Sequence, residues 1–114
     1  MRKLFDVGRL NKRITFMKFQ TTKDAMGQNV QKLMPIKEVW ASFYPIRGSE
    51  FYESKRLEGK TYYRCYCRYN KDIDSNCFIR FEGKDFHIES VIDVNLEHKM
   101  LEISCIEYLG KERL

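Results

Sequence analysis

The sequence has few features of a membrane protein or of a disulfide-stabilised secreted domain. No apolar run approaches the roughly 20 residues needed to span a bilayer. The first residues, Met1 to Asp6, have basic side chains but lack the apolar segment of a secretion signal. The four cysteines include a C-x-C pair, Cys65 and Cys67, whose spacing is not that of a disulfide framework or a zinc finger. We therefore expect a protein made in a reducing cytosol.

Sequence motifs of catalysis are also missing. There is no nucleophile elbow, no phosphate-binding loop and no G-x-G-x-x-G, and Ser49 lies beside Glu50 without a nearby histidine. His87 alternates with Phe86 and Ile88, so we expect it to face solvent or a partner. The sequence predicts no enzyme, no metal site and no cofactor, with the cysteines acting as small apolar core residues. A metal-dependent or redox module is the alternative, and it would hold metal at Cys65, Cys67 and Cys105.

The composition is that of one ordinary globular domain covering residues 1–114, with 43% hydrophobic and 32% charged residues. The net charge of +5 is unevenly placed. Residues 1–23 hold seven Lys and Arg residues against the single acid Asp6, whereas the rest holds fourteen bases and fifteen acids. The basic N-terminal arm, residues 1–11, can therefore dock on an acidic partner or approach nucleic acid, and a solvated basic tail is the equal alternative.

Short β-branched and aromatic runs, separated by turn residues, predict six strands. Pro35 predicts an edge or bulge in the second strand, because proline donates no backbone hydrogen bond. Gly83 marks a tight hairpin, and a polar loop is expected at residues 21–29. The predicted strands are residues 13–20, 30–46, 60–69, 77–82, 85–92 and 100–109.

Alternation along these runs predicts which side chains face the core. Residues 63, 65, 67 and 69 share one face, and so do residues 77, 79 and 81. Residues 86, 88, 90 and 92 alternate in the fifth strand, and residues 101, 103, 105 and 107 alternate in the sixth. The fold class is therefore all-β, a small antiparallel six-stranded barrel or sandwich.

Residues 46–59 form the one excursion from this pattern, between the second and third strands. Pro45 and Gly48 end the strand, and Ser49 can cap a short α-helix that runs to Leu57. The segment has no strong apolar stripe, so an isolated copy should be marginal as a helix. A strand that feeds an underpacked polar segment is typical of a scaffold that presents a functional loop.

Direct binding of nucleic acid is a second alternative. Tyr62, Arg64, Tyr66 and Arg68 project from one face of the third strand, and aromatic rings beside cations can stack bases and bind phosphates. A packed aromatic face with flanking charges explains the same residues. We favour the packed face, because the body of the chain outside the basic N-terminal residues 1–23 carries a net charge of −1, and a DNA-binding surface should be positive.

Several segments in order resemble the head-closure family of long-tailed phages, also called head–tail connector or stopper proteins. They are Leu10-Asn11-Lys12-Arg13-Ile14-Thr15-Phe16, Val39-Trp40-Ala41-Ser42-Phe43, Pro45-Ile46-Arg47-Gly48-Ser49-Glu50, Phe78-Ile79-Arg80-Phe81 with Gly83-Lys84, and Met100-Leu101-Glu102-Ile103. Together with Gly27 and the third strand they cover residues 9–108. Each motif is weak alone, whereas the ordered set is considerably more specific.

The resemblance implies a structural virion protein at the head–tail junction, made and assembled in the cytoplasm of a bacterial host. Relatives form a ring, six- or twelve-fold, below the portal and adaptor, while the isolated chain can be monomeric. The ring closes the channel through which double-stranded DNA passes and gives the tail its attachment platform. A neighbouring tail-completion protein, which also has a small connector barrel, stays open as an alternative, and no membrane is involved.

The resemblance also implies residue roles. The excursion between strands two and three faces the central channel in relatives, and the basic arm becomes a candidate for docking on the ring above. The channel candidates here are Arg47, Ser49, Glu50, Phe51, Tyr52, Glu53, Lys55 and Arg56. The docking candidates are Arg2, Lys3, Arg9, Lys12 and Arg13.

Overall fold

The structure is a computed structural model that describes residues 9–46 and 61–109. The described part is built from antiparallel strands and has one short 3₁₀ turn, Val94–Leu96. The strands are β1 Lys12–Lys23, β2 Asn29–Pro45, β3 Tyr62–Arg68, β4 Phe78–Phe81, β5 Lys84–Asp93 and β6 Met100–Tyr108. The predicted all-β class with six strands is confirmed. The predicted helix at 49–57 lies outside the described residues.

The six strands close into a barrel in the order β1-β2-β3-β6-β5-β4. Every neighbouring pair is antiparallel, and β1 meets β4 through only three residue pairs, from Thr15 with Arg80 to Met17 with Phe78. This contact decides between the two predicted architectures in favour of a barrel over a sandwich. Closure also removes the free sheet edges that invite aggregation.

The barrel interior is filled by the side chains that alternate inward. Phe16, Ile79, Ile88 and Ile103 are completely buried, and burial of such side chains contributes about 1.5–3 kcal/mol each. The four cysteines are unpaired and buried, as predicted. The predicted inward faces of β3, β4 and β6 are confirmed by the core cluster that their side chains form.

The predicted alternation of β5 is wrong beyond Ile88. The pairing with β6 shifts register between Ile88 and Ser90, so one extra residue enters β5 there. A bulge of this kind reverses which side chains face inward along the rest of a strand. As a result Val91 packs against the core, while Ile92 is 52% exposed.

A second bulge lies where Pro35 predicts one. Phe16 pairs with Lys37 and Met17 pairs with Pro35, which leaves Ile36 as the extra residue of β2. Proline has no N–H to donate to the ladder, and a bulge is a place where a strand tolerates that loss.

Beyond this bulge, β1 and β2 leave the barrel together as a two-stranded ribbon. The pairing of β1 with β4 ends at Met17, and the pairing of β2 with β3 begins only at Ala41. Residues Lys18–Lys23 therefore pair only with Asn29–Met34 in the described part of the chain. We call these two stretches, with the turn that joins them, the ribbon.

The turn of the ribbon is shorter than the predicted loop at residues 21–29. The Asp24 carboxylate accepts hydrogen bonds from the N–H groups of Met26 and Gln28, each at 2.9 Å. Gly27 takes a positive φ of 81°, which costs glycine little. The Gln31 side chain donates a hydrogen bond to the Thr21 hydroxyl at 3.2 Å. The pairing of β1 with β2 therefore extends into the residues predicted to form the loop.

The β4–β5 hairpin gives a test of its turn. Glu82 and Gly83 both have positive φ, 52° and 81°, which is the pattern of a type I′ turn. Glu82→Asn should raise the free energy of unfolding by up to about 1 kcal/mol, because asparagine tolerates this conformation. Gly83→Ala should lower it by about 1 kcal/mol through backbone strain alone, since an added Cβ meets no atom within 4 Å. Urea denaturation of both variants measures these changes, and equal midpoints would contradict the turn assignment.

Candidate functional site

The excursion leaves the barrel at an end that several other chain segments share. Pro45 ends β2 beside the start of β3 at Tyr62, and Tyr108 ends β6 beside the start of β5. The chain enters β1 at Lys12 on the same side, because β1 runs antiparallel to β2. We call this the excursion end, and the ribbon projects from the opposite end.

The two attachment points of the excursion are held together by a small apolar cluster. The N–H of Ile46 donates to the carbonyl oxygen of Tyr62 at 2.8 Å. Ile46, Tyr62 and Ile106 are each more than nine-tenths buried in one cluster, separate from the barrel interior. The excursion therefore starts and finishes at one fixed point of the barrel rim.

The barrel opens at this end into an aromatic mouth. The ring of Phe43 lies 5.4 Å from Tyr63, 4.9 Å from Phe81 and 5.0 Å from Phe86, measured between ring centroids. These rings border a cavity of about 180 Å³, with Glu82 at its polar rim. Sites for drug-sized ligands are larger, at about 300–1,000 Å³. The mouth suits a single inserted side chain better than a small-molecule ligand.

The eight predicted channel residues, Arg47, Ser49, Glu50, Phe51, Tyr52, Glu53, Lys55 and Arg56, all lie outside the described residues. Arg2 and Lys3 of the predicted docking set also lie outside them. Arg9 and Lys12 are exposed. The channel and docking roles of these residues stay predictions. The structure adds the point on the barrel from which the excursion starts.

Arg13 is the docking candidate with the most structural detail. Its guanidinium lies 4.7 Å from the ring centroid of Trp40 and pairs with Glu38 at 3.2 Å. Trp40, the one tryptophan of the chain, is 53% exposed on the outer wall. Large exposed aromatics with a neighbouring arginine are typical of interface anchors. Sequence reasoning did not identify this site, although alternation along β2 opposite the inward Ala41 was a signal.

The predicted tyrosine and arginine face of β3 is a packed wall. Tyr62 is only 8% exposed, so its ring is not available to stack a base. Arg64 and Tyr66 are half-buried, and Arg64 pairs with Glu102 at 3.5 Å. Burial lowers the pKa of Arg64, but Glu102 and the tyrosines offset this and raise its pKa overall. Burial, then Glu102, raises the pKa of Tyr66. Of these four residues only Arg68 is exposed.

The cysteines do not form a reactive or metal-binding group in the described residues. No cluster of three or more His, Cys, Asp or Glu side chains there is arranged to hold a metal ion. A hydrogen bond to Cys67, followed by burial, raises the pKa of the Cys65 thiol. Burial and the charge of Glu89 raise the pKa of Cys105 to about 12. Metal ligands and nucleophiles are thiolates, so neutral buried thiols suit packing.

The described residues contain no helix that is long and apolar enough to cross a membrane. His87 lies on the outer wall with its ring 5.1 Å from that of Phe78, which agrees with the expectation that it faces outward. His98 and Asp93 form a hydrogen-bonded pair in the β5–β6 loop.

Comparison with known proteins gives both a family and two similar folds. The family described as phage head completion protein matches residues 5–108. A protein from Shigella flexneri 2a, known from its solution structure, is 26% identical with a TM-score of 0.72. The alignment covers 94% of this chain and 100% of that one.

A chain in the virion of a native gene transfer agent particle has the same fold. It is 16% identical with a TM-score of 0.63, over 88% of this chain and 96% of that one. No curated protein sequence matches this chain.

The raised pKa of Cys105 gives a pH test of its burial. An unfolded thiol ionises above about pH 8.5, while Cys105 in the barrel stays neutral to about pH 12. Its contribution to stability is therefore complete below pH 8.5 and is lost as pH rises towards 12, by about 1.4 kcal/mol per pH unit. Cys105→Ala should be less stable than the wild type at pH 7, and the difference should narrow from pH 8.5 to 11.

Urea unfolding at each pH measures this difference. Ile103→Val, a buried change without a titrating group, is the control, and its difference from the wild type should stay constant with pH. A constant difference for Cys105→Ala as well would contradict the burial of a neutral thiol.

Proposed function

The chain belongs to the phage head completion protein family, and on this premise we propose that it completes the head by forming a ring below the portal. Its role is a structural one in head assembly. The ring closes the DNA channel after packaging and gives the tail its attachment surface. The match over residues 5–108 carries this proposal. The shared fold with a chain of a gene transfer agent virion supports it.

The excursion is the segment that we propose faces the channel. Both of its attachment points are fixed by the cluster of Ile46, Tyr62 and Ile106, so a ring of barrels would present every excursion at the same height. The aromatic mouth beside it gives the segment a rigid base. The barrel wall itself then serves as a scaffold and needs no catalytic group.

The basic residues that begin β1 are the proposed docking surface for the ring above. Arg9 and Lys12 are exposed, and the guanidinium of Arg13 lies over the ring of Trp40 on the adjacent strand β2. All of them lie towards the excursion end. Channel closure and attachment to the ring above would therefore use the same end of the barrel.

Direct DNA binding by the isolated barrel is less well supported. Its main candidate surface on β3 is largely packed, with Tyr62 buried and Arg64 paired with Glu102. A tail-completion role at the same junction is the closer alternative, because it needs the same small barrel and a ring partner.

Electron microscopy of particles assembled without this protein tests the proposal. We expect full-length tails beside tailless capsids that have lost their DNA, because nothing would close the portal channel. Capsids that keep their DNA but lack tails would favour the tail-completion role. Normal tailed particles would refute both roles.

The same particles test the excursion when residues 49–57 are replaced by a short Gly/Ser linker. The barrel should still fold, as circular dichroism can show, and the capsids should lose DNA. Lys71→Ser with Ser75→Gly, two exposed changes in the loop between β3 and β4, is the control and should leave channel closure intact. Full capsids with the first variant would exclude the excursion as the closing segment.

A further inference from the structure

Charge is divided between opposite walls of the barrel. The described residues 9–46, which form β1 and β2, carry seven Lys and Arg residues and two acids, a net charge of +5. Residues 84–109, which form β5 and β6, carry two lysines and six acids, a net charge of −4. In a closed order β1-β2-β3-β6-β5-β4, β1 lies opposite β6 and β2 lies opposite β5. The basic and acidic walls therefore face in opposite directions.

The basic wall ends in the ribbon, which the barrel leaves uncovered. Both outer edges of Lys18–Lys23 and Asn29–Met34 lack a third strand in the described part of the chain. Phe19, whose ring also contacts Phe78 edge-on, is 39% exposed there, and Val30 is 37% exposed. Ile36, at the bulge where the ribbon begins, is 37% exposed. Long uncovered strands with exposed apolar side chains are typical of surfaces that another chain covers.

The lysines of the ribbon are available for such a contact. Lys18, Lys23 and Lys32 make no ion pair with any residue that the structure describes. The single acid of the ribbon, Asp24, is engaged by the backbone of its own turn. The ribbon thus combines apolar side chains with unneutralised positive charge.

The acidic wall has the complementary composition. Ile92 is 52% exposed and Leu96 is 83% exposed, and Glu89 and Glu97 lie beside them in sequence on the surface. We call these four residues the β5–β6 patch. Asp93 is engaged by His98, and Glu89 lies 3.8 Å from the ring of His87. The acidic character of the patch comes from Glu89 and from Glu97, which makes no ion pair with a residue that the structure describes.

Leu96 is held outward at a cost in backbone strain. Its φ is 56°, and Asn95 and His98 have similar values of 56° and 57°. Leucine rarely adopts this left-handed conformation. A strained backbone that displays an apolar side chain to solvent favours a binding role, because strain of this kind is concentrated at functional sites.

We propose that the ribbon of one copy packs on the β5–β6 patch of the next copy in the ring. The inference rests on the proposed ring and identifies the surfaces that build it. Complementary patches on opposite walls give a head-to-tail contact, which closes into a ring when the rotation between copies allows it. The lysines then meet the glutamates, and Phe19, Val30 or Ile36 covers Ile92 and Leu96.

DNA is the other partner that a basic ribbon suggests. Phosphates would account for the lysines, but they leave the exposed apolar residues of the ribbon unexplained. DNA also leaves Ile92 and Leu96, among acids, without a partner. A second copy of the chain accounts for both surfaces at once.

Photo-crosslinking in assembled particles tests the contact. The photoreactive residue p-benzoylphenylalanine replaces Val30 in the ribbon, and mass spectrometry maps the cross-linked peptides. We expect cross-links to residues 89–102 of a second copy. The same photoreactive residue in place of Glu82, at the excursion end, is the control and should give no cross-link to that region.

The other outcomes overturn the proposal. Cross-links from position 30 to DNA, to another virion protein, to the ribbon of a second copy, or to no chain at all would each show that the ribbon does not contact the β5–β6 patch. Tailed, DNA-filled particles that contain the protein would leave head completion intact in those cases. Absence of the protein from particles would instead refute the proposed function itself.

Leu96→Asn provides a second, independent measurement. Asparagine tolerates the left-handed conformation, so the melting temperature should stay equal or rise while the cross-link from position 30 weakens about tenfold, the loss of one good apolar contact. Leu109→Asn is the matched control, since Leu109 is 65% exposed near the excursion end, and it should leave the cross-link unchanged. An unchanged cross-link with Leu96→Asn would contradict a role for Leu96 in the contact.

Discussion

Closure of the sheet depends on the short pairing of β1 with β4, and the rest of the structure depends on closure. Only three residue pairs, between Thr15 and Met17 on one strand and Phe78 and Arg80 on the other, join the first strand to the last in the circle. Phe16 and Ile79 face each other at the centre of this contact and are completely buried. Without it the sheet would have two open edges and a half-solvated core.

The same short pairing produces the ribbon. Because β4 has only four residues and β1 has twelve, half of β1 extends past the barrel, and β2 follows it. The bulge at Ile36 lies where the two strands leave the barrel. In the proposed ring this arrangement matters, because a closed barrel has no free edge of its own and the ribbon extends beyond it as a surface for contact.

The two ends of the barrel are suited to different contacts. The excursion end gathers the starts and finishes of several strands around an aromatic mouth and a fixed apolar cluster. The opposite end has the ribbon and the β5–β6 loop, in which Asn95, Leu96 and His98 have positive φ. In the proposed assembly this separation lets the ribbon end contact a second copy while the excursion end contacts the neighbouring ring.

Much of the fold followed from the sequence alone, because alternation of apolar and polar residues determines which side of a strand is buried. That rule identified the strands and the inward cysteines Cys65 and Cys67, and the missing N–H of Pro35 predicted the bulge beside it. The alternation rule failed at Ile92, because an inserted residue at a bulge reverses the alternation and depends on the partner strand. The resemblance in ordered motifs indicated the family, although it assigned roles to residues outside the described structure.

Tertiary structure alone decided the features that depend on strand pairing at a distance. Barrel or sandwich was settled by the contact of β1 with β4, which no local pattern encodes. The opposite placement of the basic and acidic walls likewise follows from strand order. Local sequence determined which residues avoid water, and the closed pairing of the strands determined which of the others share a surface.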